Sequence, residues 1–217
     1  MLNATFSVPP EKGLSLLLLG AHCDDIEIGC GGTLLKMIED YKIDRIMWVV
    51  FSSNEVRKKE AVTSAEQFLT SVSNVDVQVF DYTDGYLPSV WSTLKDEFEA
   101  IKERITPDFI FTHYRHDWHQ DHRLINELTW NTFRNHLIFE YEIPKYDGDL
   151  GKPNFFVPLT EQYIEQKKKI IVESFQSQSD KQWFDETLLT SIMRIRGVEC
   201  ASASKHAEAF YNRKMVL

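Results

Sequence analysis

The sequence predicts a three-layer α/β/α fold, with helices on both faces of a mostly parallel, Rossmann-like sheet. Three observations lead there. Short apolar runs alternate with longer segments of helical period through residue 143, the mark of a parallel sheet built from βαβ units. The first run, Leu14 to Leu19, is apolar apart from Ser15, as suits a strand buried on both faces. The two segments richest in polar chemistry follow the first and fourth runs directly. Such sheets bind ligands there, outside the carboxyl ends of their strands.

The elements follow in order. Leu14–Leu19 is the first strand, and Gly20 to Asp25 is a loop. Gly29, Gly31 and Gly32 are expected to punctuate the chain before a helix from about Thr33 to Tyr41. Arg45–Phe51 is a second strand. Ser52-Ser53-Asn54 offers N-cap oxygens to a charged amphipathic helix from Glu55 to about Val72. Val75–Phe80 alternates with period two and is a third strand. A turn-rich loop, Asp81 to Ser89, leads to a helix over Trp91–Ile105, which Pro107 ends. Asp108–Thr112 is a fourth strand, and a histidine-dense loop precedes a helix from about Asp121 to Asn135. Leu137–Ile143 reads as a fifth strand and Asn154–Val157 as a sixth, with a loop around Gly148 between them. The last sixty residues are mostly helical in pattern.

Composition narrows the function classes. The chain has 217 residues, 24 basic and 33 acidic, for a formal charge of −9. Five Trp, eight Tyr and fourteen Phe are ample core material. Neither repeat nor linker interrupts residues 1–217, so one domain is expected. Excess acid argues against nucleic acid or an anionic membrane as the main partner. Leu16–Leu19 is far shorter than the roughly 20 residues a bilayer span needs. With no leader pattern and three unpatterned cysteines, a cytoplasmic location is expected. Oligomeric state is left open, a homo-oligomer included.

Four of the seven histidines fall in residues 113–122, in the run Thr112-His113-Tyr114-Arg115-His116-Asp117-Trp118-His119-Gln120-Asp121-His122-Arg123. Imidazole is the commonest protein metal ligand, and carboxylates orient it through its second nitrogen. The loop after the first strand adds His22, Asp24 and Asp25. Two N/O ligands from this loop and one His from the other would make a three-ligand site. That is the pattern of a catalytic zinc, which keeps a position open. Cys23 reads as a small buried thiol. The glycines match neither a Walker A loop nor GxGxxG, so a phosphate cradle is not their expected role.

These residues resemble the LmbE-like / PIG-L family of zinc-dependent N-deacetylases. The resemblance rests on His22-Cys23-Asp24-Asp25 leading to Gly29-Cys30-Gly31-Gly32-Thr33, together with His119-Gln120-Asp121-His122. Arg57, Glu60 and Ala61 resemble an Arg-x-x-Glu-Ala helix of the family, and Ala207-Glu208-Ala209-Phe210 a common C-terminal segment. The resemblance implies that His22, Asp25 and His122 bind zinc and that Asp24 is the general base. It implies that His119 stabilises the oxyanion and that Asp121 orients His119. Cys23 and Gln120 stand where the family carries proline, and Glu27 sits one place beyond the family's usual third acid.

The implied chemistry is self-consistent. Unactivated amides resist neutral water, and zinc lowers the pKa of its water to roughly 7. A carboxylate beside the ligand set can take the proton, and each oxyanion donor is worth about 3 kcal/mol. Arg57 is a candidate for binding substrate oxygens. Trp118 suits either stacking on a sugar ring or core packing. The leading expectation is hydrolysis of the acetamide of an N-acetylated amino-sugar conjugate of N-acetylglucosamine type. The alternatives are a metal-dependent hydrolase of a non-sugar amide or ester, and a non-catalytic metal- or sugar-binding relative. A His/His/Asp set also accepts Fe2+.

Overall fold

A computed structural model describes residues 5–216, apart from 7 and 10. Seven strands form one sheet: β1 (Leu14–Gly20), β2 (Ile43–Ser52), β3 (Val75–Tyr82), β4 (Phe109–His113), β5 (Leu137–Tyr141), β6 (Phe155–Pro158) and β7 (Ala207–Asn212). The helices are α1 (Asp25–Asp40), α2 (Glu55–Phe68), α3 (Trp91–Arg104), α4 (Gln120–Thr132), α5 (Glu161–Ser174) and α6 (Glu186–Glu199). Strand order is β3-β2-β1-β4-β5-β7-β6. The first five strands are parallel, and β7 runs antiparallel to both neighbours. Among the described residues no helix is long and apolar enough to cross a membrane.

The apolar run Leu16–Leu19 of β1 has a simple cause. Leu16 and Leu18 face a core shared with α1, α2 and α5, whereas Leu17 and Leu19 face one shared with α3 and α4. All four are fully buried, each worth about 1.5–3 kcal/mol. Order reverses at β1, which lies between β2 and β4. The crevice at that reversal is where open α/β sheets place their ligands. The loops after β1 and β4 both open there.

Two expectations need correction. Helix α1 starts at Asp25, not near Thr33, so Gly29, Gly31 and Gly32 lie inside it. Glycine costs about 1 kcal/mol in a helix relative to alanine, and tertiary contact explains its use. A Cβ on Gly29 would come within 2.2 Å of the Tyr141 ring. The second correction concerns the C-terminus, where two helices are followed by a strand, β7, inserted between β5 and β6.

Glu208 on β7 ties that strand to α1. Its carboxylate accepts from the Gly32 and Thr33 amides at 2.8 and 2.6 Å, and from Lys167 Nζ of α5 at 2.6 Å. Lys167 also donates to the Ile28 carbonyl at 2.7 Å. The buried pair thus engages Ile28 and Gly32, residues spaced as a helical hydrogen-bond pair. Removing one partner of such a pair typically costs about 3–5 kcal/mol, because the other charge is left buried alone.

Candidate active site

Two loop-and-helix starts assemble the site. The turn after β1 runs into α1, whose first turn carries Asp25, with Asp24 at the N-cap. Acidic groups are favoured there by the helix dipole. The loop after β4 runs into α4, with His119 at the N-cap and His122 in the first turn.

His22, Asp25 and His122 converge. His22 Nδ1 lies 3.1 Å from His122 Nε2 and 3.3 Å from Asp25 Oδ2. His122 Nε2 lies 3.5 Å from Asp25 Oδ1. Asp25 and His122 are buried and His22 nearly so. Groupings of His22, His119 and His122, and of Asp25, His113 and His122, also bring their donor atoms within 4.8 Å of one another.

Each imidazole of the converging set has a carboxylate on its far nitrogen. Asp117 Oδ2 bonds His122 Nδ1 at 2.9 Å, and Asp121 Oδ2 lies 3.3 Å from His22 Nε2. Asp117 is itself held by Lys145 Nζ at 3.0 Å and by the His119 amide at 2.8 Å. Metal-binding histidines characteristically carry such partners, which set tautomer and ring orientation. The donor set therefore fits a small divalent cation.

The Asp121 carboxylate makes its hydrogen bonds elsewhere than to His119. Its carboxylate accepts from the Gly85 and Leu87 amides at 2.7 and 3.2 Å and approaches His22. What orients His119 is the Asp121 backbone amide, which donates to His119 Nδ1 at 3.2 Å. The Asp81–Ser89 loop is thereby fastened to the site, with Gly85 at φ +80°, where only glycine sits without strain. Gln120, standing where the family carries proline, adds a bond from Nε2 to the Gly85 carbonyl at 3.0 Å.

Asp24 lies beside the converging set without joining it. Arg57 Nη2 meets its Oδ1 at 2.9 Å, and its Oδ2 is buried without a partner. Burial raises its carboxyl above the usual range; Arg57 opposes this and Asp25 adds to it. Asp25 behaves oppositely. Burial would raise it, but His122, His113 and His22 together hold it well below the usual range. His22 is pulled well up by Asp25, Asp121 and Asp84 against the effect of burial. Burial and His113 push His122 down to about 3. Burial and the neighbouring His22 lower His119.

Other expected residues fall as follows. Arg57 is mostly buried against Asp24 and above the Phe175 ring, and it also lines the cleft. Trp118 is 65% exposed and lies outside the cleft wall; its amide donates to Asp149. His113 is a buried strand-end residue, with Nε2 2.9 Å from the Ala21 amide and 3.1 Å from Asp25 Oδ2. Cys23 is buried, its thiol on the Ser52 carbonyl and pushed up to about 12 by burial. Glu27 is fully buried, and burial raises its carboxyl well above the usual range.

The cleft over these groups has a volume of about 1140 Å³. Sequence reading missed Asp84, Lys145, Tyr146 and Trp183 in its wall. Asp84, before Gly85 and 3.0 Å from His22 Nε2, carried a local signal in its Asp-Gly turn. The other three come from distant segments and carried none.

Residues 17–133 match the family model described as PIG-L: GlcNAc-PI de-N-acetylase. The chain belongs to the PIG-L family and is a hydrolase of the de-N-acetylase type. Solved structures share the PIG-L architecture along nearly the whole chain. N,N'-diacetylchitobiose deacetylase from Pyrococcus horikoshii is 21% identical, with a TM-score of 0.72, covering 94% of this chain and 85% of that one. The zinc-inhibited form of teicoplanin deacetylase Orf2 is 13% identical, with a TM-score of 0.70, covering 91% and 97%. GalB, the 4-carboxy-2-hydroxymuconate hydratase from Pseudomonas putida KT2440, is 18% identical, with a TM-score of 0.72, covering 94% and 98%. The last shows that this fold also hosts a hydratase, so the substrate must be argued from the site.

Proposed function

We propose that the protein removes the acetyl group from the amide nitrogen of a small N-acetylated amino-sugar conjugate of N-acetylglucosamine type, with zinc held by His22, Asp25 and His122. The observation that carries the reading is Asp24: a buried carboxylate beside three converging donors, with one oxygen on Arg57 and the other free. A pure metal holder has no use for that spare base. The diacetylchitobiose and teicoplanin deacetylases, which share the fold, support a sugar-type substrate.

A bound zinc supplies Lewis acidity, lowering the pKa of water to roughly 7. Asp24 accepts the proton of the attacking water at Oδ2 and can return it to the departing amine. His119 acts as a neutral donor. Its Nδ1 accepts from the Asp121 amide, so the neutral ring carries its proton on Nε2, ready for the oxyanion. Asp117 and Asp121 orient His122 and His22. Arg57 holds Asp24 and presents its remaining N–H groups to the cleft.

The test is acetate release from a panel of free, nucleotide-linked and thiol-conjugated N-acetylglucosamines, with bound metal quantified in parallel. We expect acetate in proportion to zinc content, and loss of both on chelation. Full zinc occupancy with no acetate from any member would overturn the reading.

A further inference from the structure

The proposed zinc ligands and base all fall within residues 17–133, the span that matches the family model. One charged group that reaches this site comes from outside that span. Lys145 lies in the loop after β5 and lines the cleft. Its side chain is only 11% exposed, a depth at which lysine is rare unless paired. It is paired twice. Nζ lies 3.0 Å from Asp117 Oδ2 and 2.6 Å from Asp149 Oδ2, and both carboxylates are buried more deeply than the lysine. The loop itself is tied down. Glu142, at its start, accepts from the Gly151 amide at 2.8 Å. Arg196 Nη2 and the Tyr211 hydroxyl hold the same carboxylate at 2.7 and 2.5 Å. Asp149 Oδ2 also accepts from the Trp118 amide at 2.6 Å. The loop is thereby fastened to the segment that carries Asp117 and His119.

What Lys145 does follows from how Asp117 is used. Asp117 Oδ2 is shared between His122 Nδ1 at 2.9 Å and Lys145 Nζ, while Oδ1 accepts from the His119 amide. A carboxylate this deep needs a compensating charge, because an isolated buried anion is strongly disfavoured. His122 does not supply one, since a metal-binding imidazole is neutral. Among the described residues Lys145 is the only lysine or arginine that pairs with this carboxylate; Arg123 reaches the Asp117 backbone carbonyl instead. We infer that Lys145 is a positioning residue of the metal centre: its charge holds the Asp117 carboxylate buried against His122 Nδ1, and so fixes the ring that presents Nε2 to the cation. The inference rests on the zinc site proposed above, and its test reads metal rather than turnover.

The experiment measures zinc affinity by competition with a chromophoric chelator. Outer partners of metal-bound histidines are worth about 10–100-fold in affinity. Lys145→Met, similar in length but uncharged, should weaken zinc binding about ten-fold, and Lys145→Arg should restore most of the loss. Should Lys145→Met not fold, as a melting temperature will show, Lys145→Gln is the second uncharged variant, with the same loss expected. Residues that act as a unit are not additive, so Lys145→Met placed on Asp117→Asn should add less than about two-fold. Asp149→Asn loosens the same loop but leaves the Lys145–Asp117 pair, and should keep near wild-type affinity. Cobalt(II) loaded in place of zinc reports ligand geometry through its visible bands, which should shift in Lys145→Met and return in Lys145→Arg. Wild-type affinity in the uncharged variants, a full further loss on Asp117→Asn, or an equal loss in Asp149→Asn would each overturn this inference alone. Wild-type protein that binds no zinc would overturn the zinc reading and this inference with it.

Discussion

His122→Ala is expected to abolish stable metal binding and, with it, acetate release. Three donors within 3.1–3.5 Å of one another form the proposed metal site, and two would be too few to keep the ion through dialysis. Asp117→Asn provides the graded comparison, since the Asp117 carboxylate lies outside the converging donors and bonds His122 on its far nitrogen. Losing such an outer partner costs about 10–100-fold in metal affinity, and His122→Ala should exceed that. Metal content after equilibrium dialysis against buffered zinc reads both effects; full retention in His122→Ala would remove it from the ligand set. The same measurement has a pH dependence. Asp25, with Asp121 and Asp84, holds the His22 pKa well above 6.5 in the metal-free protein, so the ring keeps a proton that zinc must displace. Affinity should therefore fall as pH falls, by about ten-fold per unit while one proton is exchanged. Calorimetry in buffers of different ionisation enthalpy would count that proton.

The half of the site that could be read from sequence is the half built from contiguous motifs. His22 to Asp25 and His119 to His122 follow buried strands, and the rule that ligands sit outside strand ends brings two loops 100 residues apart to one point. Local pattern could not say where side chains go once the chain is folded. The resemblance pairs Asp121 with its sequence neighbour His119, whereas its carboxylate turns to His22 and to the amides of residues 85 and 87. Trp118 lies among the polar groups in sequence yet points outward, while the cleft takes its tryptophan from position 183. The start of α1 was misplaced for a related reason. Glycine propensity argues against a helix, and it is overruled by the Tyr141 ring, which admits only glycine at position 29. β7 falls in a stretch of mostly helical pattern, and what fixes it there is tertiary: Glu208 is held by Lys167 and the α1 amides.

Asp24→Asn is expected to leave zinc in place and to reduce acetate release by about 10²–10⁴-fold, the usual worth of a positioned general base. The substitution is nearly isosteric, and the Asn oxygen can still accept from Arg57, so the fold and the donor set are kept. What is lost is the ability to take a proton at the unpartnered Oδ2. The pH profile gives a second handle. A base works in its ionised form, so kcat/KM falls as pH drops through its pKa. Burial raises that pKa for Asp24, which puts the acidic limb above the ordinary carboxylate range of about 4. Arg57 opposes the rise by pairing with Oδ1 at 2.9 Å. Arg57→Met should therefore move the limb to still higher pH, an effect separable from any role of Arg57 on the substrate. Loss of a substrate contact alone would raise KM and leave the limb of kcat where it was. A limb that moves in Arg57→Met and disappears in Asp24→Asn would assign the titration to this pair. Turnover by Asp24→Asn at the wild-type rate would instead remove Asp24 as the base.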